Sequence, residues 1–144
     1  MLVRTLIATC FLLLGQYSFA EWQVVTTNMD SRPALLQKDV SANEGTPLVA
    51  IICIPEPTLI VEWTGPQTDL AVSIDTVQID IPRQTALRNG NQAVTLKPGH
   101  IQGLIKGWKL QLTATLPSGE SITAETSLWG FDSQFKKAKM DCSL

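Results

Sequence analysis

Trp108-Lys-Leu-Gln-Leu-Thr-Ala-Thr-Leu116, then Pro117-Ser-Gly-Glu120, then Ser121-Ile-Thr-Ala-Glu-Thr-Ser-Leu128 is the stretch that decides the fold class. Trp108, Leu110, Leu112, Ala114 and Leu116 alternate with Lys109, Gln111, Thr113 and Thr115. Ile122, Ala124, Thr126 and Leu128 alternate on the way back. Successive side chains of a strand point to opposite faces, so a period of two marks a half-buried β-strand. Pro-Ser-Gly is turn chemistry. The stretch predicts an antiparallel hairpin with one face on a core.

Working outward, the same signals recur. Pro47 to Ile54 is a nearly continuous apolar run rich in β-branched residues, too short for a typical helix. It reads as a central strand buried on both faces, and Thr58 to Trp63 follows it as a second strand of the same hairpin. Ala71 to Ile81 alternates but slips phase at Asp75-Thr76, which predicts a β-bulge or a tight turn there. Asn89-Gly90 between Gln84–Arg88 and Gln92–Lys97 is a hairpin signal. Ala34 to Ala42 reads as one weakly alternating strand. Ile101, Leu104 and Ile105 stand at helical spacing and Gly107 ends that helix. Phe131, Phe135 and Ala138 make one apolar stripe on a last helix, with Asp132 as its expected cap. These elements predict a mainly all-β chain: an antiparallel β-sandwich with a short C-terminal helix.

Residues 1–20 have the form of an export signal. Arg4 supplies the positive start, Leu6 to Leu14 the apolar run, and Ser18-Phe19-Ala20 a small-residue cleavage site. The apolar run is about half the length a membrane span needs. Cleavage after Ala20 leaves one domain, residues 21–144, periplasmic or secreted, with no transmembrane segment. Loss of Arg4 takes the net charge from −2 to −3. Such a balance argues against nucleic acid as a partner, since phosphate neutralisation calls for a basic face. Cleavage also removes Cys10, and the remaining pair, Cys53 and Cys142, reads as a disulfide in an exported protein.

Chemistry-bearing motifs are scarce. His100 is the sole histidine and sits in Lys-Pro-Gly-His, where capping a helix is the plainer role. With both mature cysteines in a disulfide, zinc ligation of the usual kind is not expected. No metal or cofactor is expected. Glu56, Glu62, Asp69, Asp75 and Asp80 read as solvated acids rather than as a glycosidase pair. Lys136, Lys137 and Lys139 suit the end of a helix better than a lipid surface. Of the tryptophans, Trp22 and Trp108 are expected in the core. Trp63 and Trp129 are read as candidates for facing a partner, because tryptophan is enriched in interface hot spots.

Several of these features together resemble a known type. Glu21-Trp22-Gln-Val opens the mature chain, Pro47-Leu-Val-Ala-Ile-Ile-Cys53 carries the first cysteine, and Leu59-Ile-Val-Glu-Trp63 follows. Trp129-Gly130-Phe131 then leads a helix to Cys142. This arrangement resembles the invasion-associated locus B type of bacterial periplasmic protein and the small exported proteins of type VI secretion clusters. The resemblance implies an antiparallel sandwich whose cysteine pair joins a strand to the terminal helix. It also implies a link to host interaction or secretion, and it supplies no catalytic residues. The expectation is therefore a non-enzymatic binding or accessory protein of the bacterial envelope with an envelope or secreted protein as partner. The alternative is a secreted inhibitor of a hydrolase such as lysozyme or a protease, using the proline-stiffened loop Ile54 to Thr58.

Overall fold

The 108–128 hairpin forms as the alternation predicts. The computed structural model of the protein describes residues 22–27, 32–43, 45–53, 56–63, 69–87, 91–140 and 142. The expected export signal, the turn at Asn89-Gly90 and the Ile54-Pro55 part of the proline loop lie outside these residues. In chain order the strands are β1 (Gln23–Thr26), β2 (Pro33–Gln37), β3 (Ser41–Ala42), β4 (Leu48–Cys53), β5 (Pro57–Glu62) and β6 (Asp69–Ile74). Then come β7 (Val77–Gln78), β8 (Arg83–Ala86), β9 (Gln92–Thr95), helix α1 (Pro98–Lys106), β10 (Lys109–Thr115), β11 (Ser121–Ser127) and helix α2 (Phe131–Ala138).

Two antiparallel sheets result. One runs β1-β2-β4-β5-β9-β8 and the other β3-β11-β10-β6-β7. Register fixes which residues face the core. Val49, Ile51, Leu59 and Val61 share the inward rows of the first sheet with Leu35 and Val94. Leu110, Leu112 and Ala114 pair with Thr126, Ala124 and Ile122 on the second, and with Ile74, Val72 and Leu70 of β6. The apolar residues of both sheets and of both helices form one buried cluster, which is the interdigitated core of a β-sandwich. The all-β class, the two sheets and the short C-terminal helix are as the sequence predicts.

β4 is the central strand expected of Pro47 to Ile54, and it is hydrogen-bonded to β2 and β5 on its two sides. Its outward residues are apolar as well. Across the sheet they line up with Leu36 and Ala34 of β2, Ile60 of β5 and Ala93 of β9. Most of this row is half-buried, and Ala34 and Ile52 are buried outright. The outward rows of β10 and β11 are of the opposite kind: Lys109, Gln111, Thr113 and Thr115 beside Ser121, Thr123, Glu125 and Ser127. The alternation of 108–128 thus belongs to a sheet with one dry and one wet face.

Two local expectations change. Ala34 to Ala42 is not one strand: β2 ends at Gln37, whose Oε1 accepts the Asp39 N–H at 3.0 Å, and β3 resumes in the other sheet against Ala124 and Glu125. The side chain turns the chain between sheets, which a pattern of weak alternation does not reveal. Asp132 is not the helix cap. Gly130, at φ +80°, occupies the cap position, and Asp132 lies inside the helix with a carboxylate 3.3 Å from Lys136 Nζ. The phase slip at Asp75-Thr76 resolves as the tight turn. Both residues have positive φ, 52° and 70°, and they join β6 to β7 in a two-residue hairpin of the primed kind.

The first strand and the last helix pack together. α2 packs against β1, β2 and α1. Its Phe131 is fully buried and meets the Trp22 ring edge-on at 5.1 Å, while Trp22 Nε1 donates to the Ser127 carbonyl. Beyond the helix, Cys142 is disulfide-bonded to Cys53 of β4, across 89 residues of sequence and a Cα separation of 4.9 Å. That separation is normal for a disulfide. The chain-entropy account assigns such a loop about 4–5 kcal/mol. Urea unfolding of Cys142→Ser is therefore expected to show a loss of about 2–5 kcal/mol, equal to that of the reduced wild type. Equal stabilities with and without the bond would contradict the closure described here.

Two glycines test the packing around α1. A Cβ on Gly107 would stand 2.7 Å from the Gly103 carbonyl oxygen and 2.8 Å from an Ile74 methyl, whereas Gly99 has open space around it. Gly107→Ala is expected to cost about 1–3 kcal/mol by overpacking. Gly99→Ala is expected to gain about 0.5 kcal/mol by restricting the unfolded chain. Both are read from denaturation midpoints.

Candidate functional site: an aromatic cleft at the end of the β10–β11 hairpin

The tryptophans separate into two pairs. Trp22 is 2% exposed and Trp63 5% exposed, and both belong to the core cluster. Trp108 is 80% exposed and Trp129 78% exposed. Two expectations are corrected. Trp63 does not face a partner: it follows β5 in the same phase as Leu59 and Val61 and points inward with them. Trp108 is not core, although it shares the phase of Leu110. It lies one residue before β10, where its N–H is bonded to the Asp75 carboxylate instead of to a strand, and the strand's alternation does not reach it. Trp129 stands in solvent, as its phase opposite to Leu128 suggests.

The backbone that carries the exposed pair is held by several hydrogen bonds. Asp75, from the β6–β7 turn, accepts the N–H groups of Trp108 and Lys109 on Oδ1, at 2.8 and 2.9 Å. The Trp108 carbonyl accepts the Leu128 N–H at 2.9 Å. Trp129 N–H donates to Ser127 Oγ at 3.0 Å, and Phe131 N–H to the Leu128 carbonyl at 3.0 Å. Gly107 packs against Ile74 and Leu128 beneath them. A cleft of about 500 Å³ is lined by Lys106, Gly107, Trp108, Ser127 and Trp129. This is in the size range of small-ligand sites. The Lys106 ammonium makes no ion pair among the described residues. Large rigid aromatic side chains on fixed backbone bind with little ordering cost.

A second hollow, of about 480 Å³, lies on the outward face of the same sheet. Asn43, Ser73, Gln111, Thr113, Thr123 and Glu125 line it. Glu125 accepts from Gln111 Nε2 and stands 3.4 Å from Lys109 Nζ, and Asn43 Oδ1 accepts the Thr123 N–H. Glu125 and Ser127 are successive outward residues of β11, so the two hollows are about 7 Å apart along the strand.

The remaining candidates are dispersed. Glu56 pairs with Arg83 at 3.4 Å and Asp80 with Lys97 at 2.9 Å. Asp69 Oδ1 accepts the Leu70 N–H, and Glu62 is exposed at the end of β5. Asp75 serves the backbone at Trp108. Among the described residues no group of three His, Cys, Asp or Glu is placed to hold a metal ion. No helix among them is long and apolar enough to cross a membrane. In the proline loop, Pro57 is buried opposite Cys53 and Thr58 Oγ1 donates to the Glu56 carbonyl. Of the late lysines, Lys136 is paired with Asp132, and Lys137 and Lys139 are exposed.

His100 caps α1. Its Nδ1 accepts the Lys97 N–H at 3.0 Å, so the ring is neutral there with its proton on Nε2. Burial of the ring holds its pKa below the usual histidine value. The Lys97 ammonium adds to this and Asp80 opposes it. The unfolded chain therefore takes up the proton first as pH falls. The contribution of His100 to stability is fully present above about pH 6.5, and declines as pH falls from there towards the lower folded value. Unfolding free energies at about pH 7.5 and about pH 5.5 are expected to differ in this direction for the wild type. They are expected to differ less for His100→Ala, which removes the only imidazole.

No protein-family model matches this chain, and neither the curated proteins nor the solved structures contain a match.

Proposed function

We propose that the chain is a non-enzymatic binding or accessory module of the bacterial envelope, exported by residues 1–20, that engages its partner through Trp108 and Trp129. The observation that carries this reading is the exposure of both indoles in the lining of one cleft. Leaving two large aromatic surfaces in water forgoes burial worth about 1.5–3 kcal/mol each. The fold had the means to bury tryptophan, as Trp22 and Trp63 demonstrate. Exposed tryptophan held by a rigid frame is the usual anchor of a binding surface. The Cys53–Cys142 bond supports an oxidising compartment. The employment of His100 as a helix cap supports a role other than catalysis.

The test is capture from an isolated envelope fraction by the exported protein under mild crosslinking. Trp108→Ala and Trp129→Ala are expected to stay within about 0.5 kcal/mol of wild-type stability, as exposed positions do, and to lose the captured material. Capture that persists in both variants would overturn the site. Unfolding of either variant would show the residue to be structural.

A further inference from the structure

The exposed aromatic pair does not stand alone on its face. The hollow at Asn43, Gln111 and Glu125 lies on the outward surface of β10 and β11, and the cleft at the indoles adjoins that surface through Ser127. Side chains along this surface are hydroxyls, amides and ion-paired groups: Gln111, Thr113, Thr123, Glu125 and Ser127. A protein partner anchored on the indoles would pack closely around them to exclude water. Along β10 and β11 it would meet polar groups. The chemistry offered is stacking at one end and dense hydrogen bonding along the rest, with Lys106, which makes no ion pair among the described residues, lining the same cleft.

A pyranose chain fits that order. The C–H face of a sugar ring is apolar and flat, and stacks on an indole. Its rim of hydroxyls both donates and accepts, matching groups that do the same. A carboxylate on the ring at the cleft would pair with Lys106 Nζ, in a charge-assisted contact stronger than a neutral one. The outward row from Ser127 to Thr123 spans about 14 Å of strand, so the surface suits several sugar residues in a row rather than one.

We propose that the outward face of β10 and β11 binds a linear acidic polysaccharide, one uronic-acid-type ring seated in the cleft at Trp108 and Trp129 with its carboxylate on Lys106. The chain then continues over Glu125 and Gln111. This rests on the reading of the tryptophan cleft as the binding site, and names the class of ligand it takes.

The test uses the exported, disulfide-bonded protein with polygalacturonate as the acidic probe and hydroxyethylcellulose as the neutral one. Binding is measured by retardation in gels containing the polymer, and by tryptophan fluorescence titration. Polygalacturonate is expected to retard the protein and to shift its emission, hydroxyethylcellulose much less. Trp129→Ala and Trp108→Ala are expected to weaken binding about tenfold or more. Lys106→Gln is expected to weaken binding to polygalacturonate alone. Gln78→Ala, at the far edge strand, serves as the unaffected control, and circular dichroism checks that each variant is folded. Absence of retardation by polygalacturonate, or binding unchanged in both tryptophan variants, overturns the proposal. Equal retardation by the neutral polymer overturns the role given to Lys106.

A parallel capture from envelope material separates the polysaccharide from the tryptophan site. If periodate oxidation of the sugars abolishes capture and protease digestion does not, the polysaccharide is supported. If protease abolishes tryptophan-dependent capture and periodate does not, the polysaccharide is overturned while the tryptophan site stands. Capture that ignores the tryptophans removes both.

Discussion

The corner Leu128-Trp129-Gly130-Phe131 is the constraint on which the rest of the molecule depends. Leu128 and Phe131 both point into the core, and Trp129 between them points out. Consecutive inward residues three apart, with a turn bond from Phe131 N–H to the Leu128 carbonyl, require the backbone to reverse within two residues. Gly130 does this at φ +80°, in a region that side chains disfavour, and there is open space where a Cβ would be. The glycine is needed for its backbone angle and not for close packing. Its consequence is double: Phe131 enters the open end of the sandwich, and Trp129 is left in water.

From that corner the closure of the chain follows. Phe131 meets Trp22 edge-on and lies 5.9 Å from Phe135, so Trp22, just before β1, and the last helix share one aromatic contact. α2 is thereby laid on β1 and β2, and the chain after it arrives at Cys53. The disulfide fixes a closure that aromatic packing has already aimed. The aromatic cleft lies on the outer side of the same corner, and its frame is borrowed from the fold: Asp75 from the β6–β7 turn, Leu128 and Ser127 from β11, Gly107 from the end of α1. Three separate elements hold two side chains that contribute nothing to the core.

Much of the architecture was legible because β-sheet alternation is a strict physical code. Leu110 to Ala114 and Ile122 to Thr126 could face only one way once paired, and the apolar run at Leu48–Cys53 could only be central. Gly107 and Pro98 bounded α1 by their own backbone chemistry. The failures fall where the code stops. Trp108 keeps the parity of Leu110, but a carboxylate 33 residues away in sequence holds its N–H, and no local pattern reports that bond. Trp63 was the reverse case: its parity with Leu59 and Val61 marked it as core, and its position at a strand end obscured this. Asp132 had the chemistry of a helix cap, yet the turn at Gly130 placed it inside the helix. In the site, Trp129 was readable from phase, whereas Trp108, Lys106 and the face continuing to Glu125 needed the register of β10 against β11.

What the fold does with its four tryptophans is the central claim, and quenching of their fluorescence by iodide tests it most directly. Single tryptophan-to-phenylalanine variants assign the emission. The account predicts that Trp108 and Trp129 are quenched in the native protein nearly as strongly as in urea, and that Trp22 and Trp63 are shielded until the chain unfolds. Shielding of Trp108 and Trp129 in the native protein, to the same degree as Trp22 and Trp63, would contradict the account.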